Sequence, residues 1–284
     1  MAESLITGLL LGGILALCAL GLSLVLGVLW LVNLAHGVFV VVGAYAGYYL
    51  LRITGIDPLL GLPLVAVAVA VVAAPLYRWL IHPLMGRAAE PPMMTTFGIA
   101  IVVENALVLA FSANTRSITT AYSTAAMTVG GVTFPRIYAI GFAISLALIL
   151  AVHWLVSKSA FGRDLRASAQ DPVAAAVVGV PVARVQMITF ALGAACAAIG
   201  GTLMGLAFSF GPSSGAGFLL TGFAIVVLGG LGNVLGTLFA GVAIGLLQGL
   251  GGALFGDGYR DLVALAVFLL ALVVKPRGLV ANRR

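Results

Sequence analysis

The chain has 284 residues, of which 62% are hydrophobic and only 8% are charged. Soluble domains carry about 25% charged residues, so the composition argues against a soluble fold and excludes low-complexity disorder. A net charge of +6 is compatible with nucleic-acid binding, but the basic residues lie in short connections between apolar runs. That distribution is typical of membrane topology signals, and we predict an all-α integral membrane protein with no nucleic-acid partner.

Several apolar runs are long enough to cross a bilayer, which takes about 20 residues in a helix. The N-terminal run carries an acid, Glu3, and is too long for the core of a signal peptide, so we predict that it is a span. The clear candidates are residues 5–31, 59–81, 93–111, 137–156 and 185–210.

The other apolar stretches are less regular. Residues 37–51 form a short run directly after a polar break, and its length fits a full span, a tilted half or the second part of a broken helix. Residues 217–255 are too long for one crossing, and glycines interrupt them at a turn, which predicts a hairpin of two segments. With a last span at 262–274, we predict a polytopic transmembrane helical bundle of eight or nine membrane segments within one domain, 1–284.

The distribution of Lys and Arg predicts the orientation, because positive connections stay in the cytoplasm. A cytoplasmic C-terminus puts ten basic residues inside and four outside, and nine segments then imply an external N-terminus. The inner set is Arg78, Arg87, Lys158, Arg163, Arg166, Arg184, Lys275, Arg277, Arg283 and Arg284, and the outer set is Arg52, Arg116, Arg136 and Arg260. Residues 112–136 then form an external loop, either an ordered cap or a mobile segment.

The cytoplasmic connection 157–184 predicts two short amphipathic helices. Asp171 is a typical N-cap with Pro172 at the first helical position, and Gly179 is a typical helix stop. Two such helices on the cytoplasmic face form either a docking platform for a partner or an amphipathic connection that lies on the membrane surface.

Sequence blocks along the whole chain resemble a known family. They are ILAL at 14–17, GLSLVLG at 21–27, VNLAHG at 32–37, GAY at 43–45, GRDLRA at 162–167, LGGLGN at 228–233 and PRGL at 276–279. In this order they resemble the permease subunits of ABC importers for branched-chain amino acids. Glu104 departs from the pattern, because members often have glutamine there, so urea, short amides and other amino acids stay open as substrates.

The resemblance implies the ABC importer permease fold in a bacterial inner membrane. It also implies a heterodimer with a second homologous permease, two ATPase subunits and a periplasmic or extracellular substrate-binding protein. ATP would be used by the partner subunits, and this chain would bind no cofactor. The segment that docks into the ATPase would contain Gly162, Arg163, Arg166, Ala167, Asp171, Ala174, Ala175 and Gly179.

Four polar residues are candidates for the substrate pathway. Asn33 and His36 are three positions apart, which predicts one helical face, and they either line a pore or cap a helix end at the interface. Glu104 lies in the middle of the predicted span 93–111 beside Asn105, where an acid either faces the path or stays neutral and bonds a neighbouring helix. His82 and His153 are distant from His36, so no metal site is predicted.

The glycines favour packing over chemistry. Gly241, Gly245 and Gly249 recur every four residues, which lets another helix approach closely. The turn glycines do not fit a dinucleotide loop, because Gly236 is one position too far along. We assign packing roles to this second set as well, Gly229, Gly230, Gly232 and Gly236.

The competing functions are an ion-coupled secondary transporter or channel, and a membrane-embedded enzyme. The first usually needs several acids or bases within its spans, and this chain offers only Glu104. The second needs a clustered polar site, and no catalytic set is apparent in the sequence. We therefore expect transport rather than catalysis.

Overall fold

A computed structural model describes residues 1–86, 88 and 90–274 of the chain. Over these ranges the α-helices are α1 (Ala2–Leu29), α2 (His36–Thr54), α3 (Leu62–Leu76), α4 (Glu90–Phe111), α5 (Ala121–Thr124), α6 (Arg136–Lys158), α7 (Ala160–Gln170), α8 (Pro172–Val177), α9 (Val182–Ala207), α10 (Gly215–Gly229), α11 (Val234–Phe255) and α12 (Arg260–Val274). Two strands, β1 (Ala126–Val129) and β2 (Val132–Pro135), pair in an antiparallel hairpin.

Eight helical segments in the described part of the chain are long and apolar enough to cross a membrane. They are Ala2–Leu29, His36–Thr54, Leu62–Leu84, Glu90–Phe111, Arg136–Lys158, Val182–Ala207, Pro212–Gly229 and Val234–Phe255. Helix α12 is also apolar but has only 15 residues. The prediction of an all-α membrane bundle with eight or nine segments is therefore confirmed, with span boundaries that differ by a few residues.

Helix α1 is the central element of the bundle. It packs against α9, α11 and α6, and it is buried from Leu11 to its end at Leu29 apart from the half-buried Gly27. Glycines allow these contacts, because the backbone of Gly12 lies against Gly245 of α11 and the backbone of Gly21 lies against Gly193 of α9. Gly241 and Gly249 of α11 also contact α1, at Ala16 and at Ser4.

The two ends of the bundle are defined by the connections that α1 contacts. At its start the carboxylate of Glu3 accepts a hydrogen bond from the Thr133 backbone N–H at 3.2 Å. At its end the Trp30 indole donates to the Ala169 carbonyl in α7 at 3.2 Å. We call these the cap end, with residues 112–136, and the α7–α8 end.

Residues 112–136 form an ordered cap. The backbones of Arg116 and Phe210 exchange two hydrogen bonds of 2.8 Å, which join the cap to the end of α9. Tyr122 donates to the Asp57 carboxylate at 2.9 Å, which joins the cap to the α2–α3 connection. Burial, reinforced by the negative charge of Asp57, raises the pKa of Tyr122 to about 12, so this hydroxyl remains a donor at neutral pH.

All three tryptophans of the sequence lie near the α7–α8 end and are largely exposed. Trp30 follows α1, Trp79 follows α3, and Trp154 is in the last turns of α6. Tryptophans concentrate where a membrane meets water, so this end of the bundle lies at a bilayer surface.

Part of the basic topology signal falls outside the described residues. Arg87 and the C-terminal segment 275–284, with Lys275, Arg277, Arg283 and Arg284, are not described by the structure. The predicted basic stop after the last span, which includes the PRGL block, therefore stays a prediction.

The glycine contact between α1 and α11 predicts a clear effect of substitution. In G245L the new side chain would meet the backbone of Gly8 and Gly12, which cannot move without separating the helices. We expect a loss of about 1–3 kcal/mol of stability, measured as a lower unfolding temperature in detergent. The matched control is G98L, because a Cβ at Gly98 meets nothing within 4 Å; equal losses in both variants would contradict the proposed contact.

Candidate translocation path and docking surface

The polar break at Asn33 and His36 interrupts a membrane span. His36 is the first residue of α2, and its Nε2 lies 2.7 Å from the carbonyl of Cys18 in α1. Cys18 precedes the end of α1 at Leu29 by eleven residues, which is about 16 Å along a helix. Helix α2 therefore starts in the middle of the bundle, which favours the second part of a broken helix among the three interpretations of residues 37–51.

Asn33 lies before α2, so the prediction that Asn33 and His36 share one helical face is wrong. The Asn33 side-chain oxygen accepts from the Ala35 N–H at 3.1 Å and its carbonyl accepts from the His36 N–H at 3.2 Å. Asn33 thus satisfies backbone donors in the turn before the helix, whose N-cap residue is Ala35 and has no side-chain cap, and Asn33 is buried and not at an interface. Whether the two residues also line the path stays a prediction.

The non-helical backbone before α2 is held by a threonine of α4. The Thr96 hydroxyl accepts from the Leu34 N–H at 3.1 Å and lies 3.4 Å from the Val32 carbonyl. Thr96 is fully buried, so water does not replace these bonds. Irregular backbone at membrane depth persists only where protein or a wet cavity satisfies it.

A second interrupted span meets the first at the same depth. The backbones of Gly37 in α2 and Gly215 in α10 are in direct contact, because a Cβ at Gly37 would collide with the Gly215 carbonyl and a Cβ at Gly215 would be tight against the Gly37 backbone. From this point α2 runs toward the cap end, whereas α10 runs toward the α7–α8 end, where Gly232 contacts Gly27 of α1. Two helix N-termini, each with a partial positive charge, therefore start side by side in the middle of the bundle.

A cavity of about 490 Å³ extends from the cap end to the start of α10. Its deeper polar lining comes from Ser213, Ser214 and Thr221, and its apolar lining includes Leu15 and Phe218. Serines and a helix start offer hydrogen-bond donors to an anionic group. The cavity therefore connects one face of the membrane with the start of α10, whereas Asn33, His36 and Gly37 at the start of α2 do not line it.

The mouth of this cavity carries both signs of charge. Arg260 lies 3.6 Å from Asp257, and the buried amide of Gln248 donates to Asp261 at 2.8 Å. Sequence reasoning missed these residues, because α11 and α12 bring them together only in the folded chain. The available signals were a glutamine within the apolar run of α11 and the charged start of α12.

Glu104 and Asn105 are in another place. Both are on α4, where Glu104 is half-buried and Asn105 is exposed and donates to the Ile101 carbonyl of its own helix at 2.8 Å. Neither lines the 490 Å³ cavity, and the structure does not bring them together with Ser214 or Thr221. Their place in the path stays a prediction.

The connection 157–184 folds as the two short helices α7 and α8. The Asp171 carboxylate accepts from the Val173 and Ala174 N–H groups at 2.9 and 3.0 Å, and Pro172 takes the first helical position. Gly179 has a φ of 88°, a backbone conformation that favours glycine. The local signals in the sequence thus correspond to the observed caps.

The predicted docking residues divide into a packed set and an exposed set. Gly162 packs against the carbonyl of Val156, Ala175 is buried and Ala167 is half-buried, so these three position the segment. The Arg166 guanidinium also donates to the Val156 carbonyl at the end of α6. The exposed set is Arg163, Arg166, Asp171, Ala174 and Gly179.

Helix α8 also exposes an apolar surface that the sequence analysis did not single out. Val173 and Val177 of α8, and Val178 directly after it, are each 75–84% exposed. The spacing of Val173 and Val177 by four residues places them on one face of the helix. An exposed apolar patch of this kind is typical of a contact with another protein or with the membrane surface, so both interpretations of this connection stay predictions.

The glycine-rich turn joins α10 to α11. Gly230 and Gly232 have positive φ angles of 86° and 74°, and the backbones of Gly229 and Gly236 are in contact. The Asn233 side chain accepts from the Gly236 N–H at 2.9 Å and so caps α11. This geometry is a helical hairpin, and it has none of the strand context of a nucleotide-binding loop.

Comparison with known proteins identifies the relatives of this chain. A family model described as branched-chain amino acid transport system, permease component, matches residues 4–272. The high-affinity branched-chain amino acid transport system permease protein BraD of Pseudomonas aeruginosa is 29% identical, over 99% of this chain and 95% of that protein. The corresponding permease protein LivH of Escherichia coli is 27% identical over the same shares of both chains.

A solved structure shares the architecture. PsaBC from Streptococcus pneumoniae, in complex with Fab, superposes with a TM-score of 0.50 and 15% identity, over 97% of this chain and 92% of that one. The helical membrane fold is thus that of an ABC importer permease.

The class of protein and the family follow from these findings. The chain is a multi-pass permease of the inner membrane, of the kind that works with ATPase and binding-protein partners. It belongs to the family of permease components of branched-chain amino acid transport systems, whose named members are transport permeases and not enzymes. Within the described residues, no group of three or more His, Cys, Asp or Glu side chains is placed to hold a metal ion.

The hydrogen bond between the Leu34 N–H and the Thr96 hydroxyl yields a prediction. In T96V the partly buried Leu34 N–H loses its acceptor, which costs about 1–3 kcal/mol, so we expect a lower unfolding temperature and reduced transport. The control is T95V, since Thr95 bonds only the Pro91 carbonyl of its own helix. Thermal unfolding of the two variants separates the effects, and an unchanged T96V would show that the hydroxyl does not hold the break.

Proposed function

We propose that this chain forms one half of the translocation path of an ABC importer for branched-chain amino acids. Together with the family membership, one observation carries the proposal: two interrupted spans start side by side at mid-depth, next to a cavity with both charges at its mouth. In membrane transporters, interrupted helices of this kind form substrate sites near the middle of the bilayer.

The cavity chemistry suits an amino acid with an apolar side chain. The ammonium group fits the acids at the mouth, Asp257 and Asp261, and the carboxylate fits Arg260 or the donors near Ser214. Leu15 and Phe218 offer an apolar wall for a branched side chain. Urea and short amides lack both charges, so they would use little of this surface.

The cavity requires a second wall. On α10, Gly217 is exposed beside the cavity, and Leu220 on the same exposed side is 53% accessible. A second homologous permease in a heterodimer would supply the opposite wall of the path, with two ATPase subunits at the α7–α8 end and a substrate-binding protein at the cap end. ATP would be bound by the partner subunits, and this chain would bind no cofactor.

Force would enter the bundle through α8. Its valines and Ala174 offer an apolar contact to an ATPase, while the Trp30 bond to Ala169 and the Arg166 bond to Val156 join α7 to α1 and α6. A displacement of α8 would therefore reach the central helix directly. Arg163, which is exposed on α7, would add charge to the same contact.

The orientation follows from the same assignment. The α7–α8 end, with Lys158, Arg163 and Arg166, would face the cytoplasm, as positive connections do. Helix α1 starts at the cap end, so the N-terminus would be external. Helix α12 also starts at the cap end, beside Phe208, and would carry the C-terminus to the cytoplasm.

An ion-coupled transporter or channel is the alternative, and Glu104 is the residue on which it would depend. In E104Q, ATP-driven uptake of labelled leucine by the assembled transporter should stay within about twofold of wild type at every pH. A shifted pH dependence would favour ion coupling, because coupling sites need an ionisable group within the spans. A loss of uptake with an unchanged pH dependence would instead support the prediction that Glu104 lines the path.

The docking assignment yields a variant that separates assembly from folding. In V177D, a carboxylate is introduced into the exposed apolar surface of α8, and burying it against an ATPase costs several kcal/mol. We expect at least a tenfold loss of ATPase co-purification with no change in unfolding temperature. The control, M127D, places the same charge on the exposed hairpin at the cap end and should retain the ATPase. Retention by V177D would contradict docking at α8.

The path assignment is tested by cysteine accessibility. In T221C a polar maleimide should react through the cavity, and leucine supplied with the binding protein should slow the reaction at least fivefold. V108C is the control, because Val108 is partly exposed on the apolar face of α4 and should not react with the polar reagent. A T221C rate that leucine leaves unchanged, or that urea alone lowers, would contradict the proposed substrate class.

A further inference from the structure

A second cavity, of about 840 Å³, lies at the α7–α8 end between the end of α3 and the start of α9. Pro75 lies inside α3, and the chain then continues as a wide π-helical turn, Tyr77–Ile81. Proline removes a backbone donor, and the wide turn accommodates the loss. The buried Tyr77 hydroxyl donates to the Gln186 side chain of α9 at 3.0 Å and joins the two walls.

The polar lining of this cavity is positive. Arg78 and Arg184 both line it, and neither forms an ion pair in the ranges that the structure covers, where the recorded pair joins Arg260 to Asp257. The start of α9 adds to the positive potential of the cavity, because a helix N-terminus has a partial positive charge and no side chain caps this one at Pro181. His82 contributes a buried Nδ1 that has no hydrogen-bond partner in the described chain.

The surface above the cavity is apolar and exposed. Leu64, Val67 and Val71 lie on one face of α3, with exposed fractions of 55–64%, and Trp79 at the cavity wall is 72% exposed. Spacings of three and four residues make this face continuous along the helix. This apolar face of α3 extends from the part of the bundle within the hydrocarbon layer to the two arginines.

We propose that this cavity binds the headgroup of an anionic phospholipid of the cytoplasmic leaflet. The phosphate would contact Arg78 and Arg184, the acyl chains would lie along the exposed face of α3, and Trp79 would mark the boundary between them. Basic pockets between spans at the cytoplasmic surface bind anionic headgroups, and each arginine strengthens such binding about fivefold.

The site differs from the translocation path, and it borders α8 at Ala176 without including the exposed valines of that segment. The 490 Å³ cavity opens toward the cap end, whereas this cavity is at the opposite end of the bundle. A free phosphate or nucleotide would use the two arginines but not the apolar face of α3. An anionic phospholipid would contact both the two arginines and the apolar face of α3, so the site favours a phospholipid over soluble anions.

Quenching of Trp79 tests the proposal directly. In the full chain with W30F and W154F, Trp79 is the remaining tryptophan, and brominated lipids quench only a ring that they touch. At equal mole fraction, brominated phosphatidylglycerol should quench Trp79 at least fivefold more effectively than brominated phosphatidylcholine. R78Q and R184Q should each reduce this preference about fivefold. K158Q removes one exposed charge at the same end outside the cavity and should leave it unchanged.

Three results would overturn the proposal. Equal quenching by both lipids would show that no anionic headgroup is bound, and quenching by neither would show that protein covers α3. Loss of the preference on addition of inorganic phosphate would assign the cavity to a soluble anion. Because the background changes two tryptophans, native mass spectrometry of the chain with its own tryptophans is the second measurement, with retained phosphatidylglycerol expected for K158Q and lost for R78Q with R184Q.

Discussion

The backbone contact between α1 and its neighbours is the constraint on which the rest of the structure depends. A membrane bundle has little hydrophobic drive to hold helices together, so close packing of small residues must do it. Gly8, Gly12 and Gly21 allow α9 and α11 to contact the α1 backbone. Because α1 is held firmly between α9 and α11, other helices can begin or end in the middle of the membrane without loss of the bundle.

The interrupted spans depend on α1 because their unpaired backbone groups need partners inside the protein. The Leu34 N–H before α2 bonds the Thr96 hydroxyl of α4, and the His36 side chain anchors the start of α2 to the Cys18 carbonyl of α1. Gly37 and Gly215 then let the two helix starts touch. An irregular centre within a rigid bundle gives a permease a polar point at mid-depth without exposing backbone to lipid.

The sequence predicts those features that depend on local residues. Apolar runs of sufficient length predict α6 and α9, and the pair Asp171 and Pro172 predicts the start of α8, because caps act over a few residues. The depth in the membrane at which a helix begins cannot be predicted in this way, because hydropathy measures how apolar a segment is and not where it starts. The start of residues 37–51 could therefore not be placed. The cavity at Gln248 and Asp261 depends on contacts between helices, and the exposed valines of α8 depend on which face the fold covers.

We propose that this chain is a passive half of a path that partner ATPases drive through α8. The most direct measurement is the composition and activity of the assembly purified from native membranes through this chain and placed in liposomes with leucine-loaded binding protein. The account predicts one copy of this chain, one copy of a second permease and two ATPases, with leucine accumulation that requires ATP. Accumulation by this chain alone, driven by an ion gradient and indifferent to ATP, would contradict it.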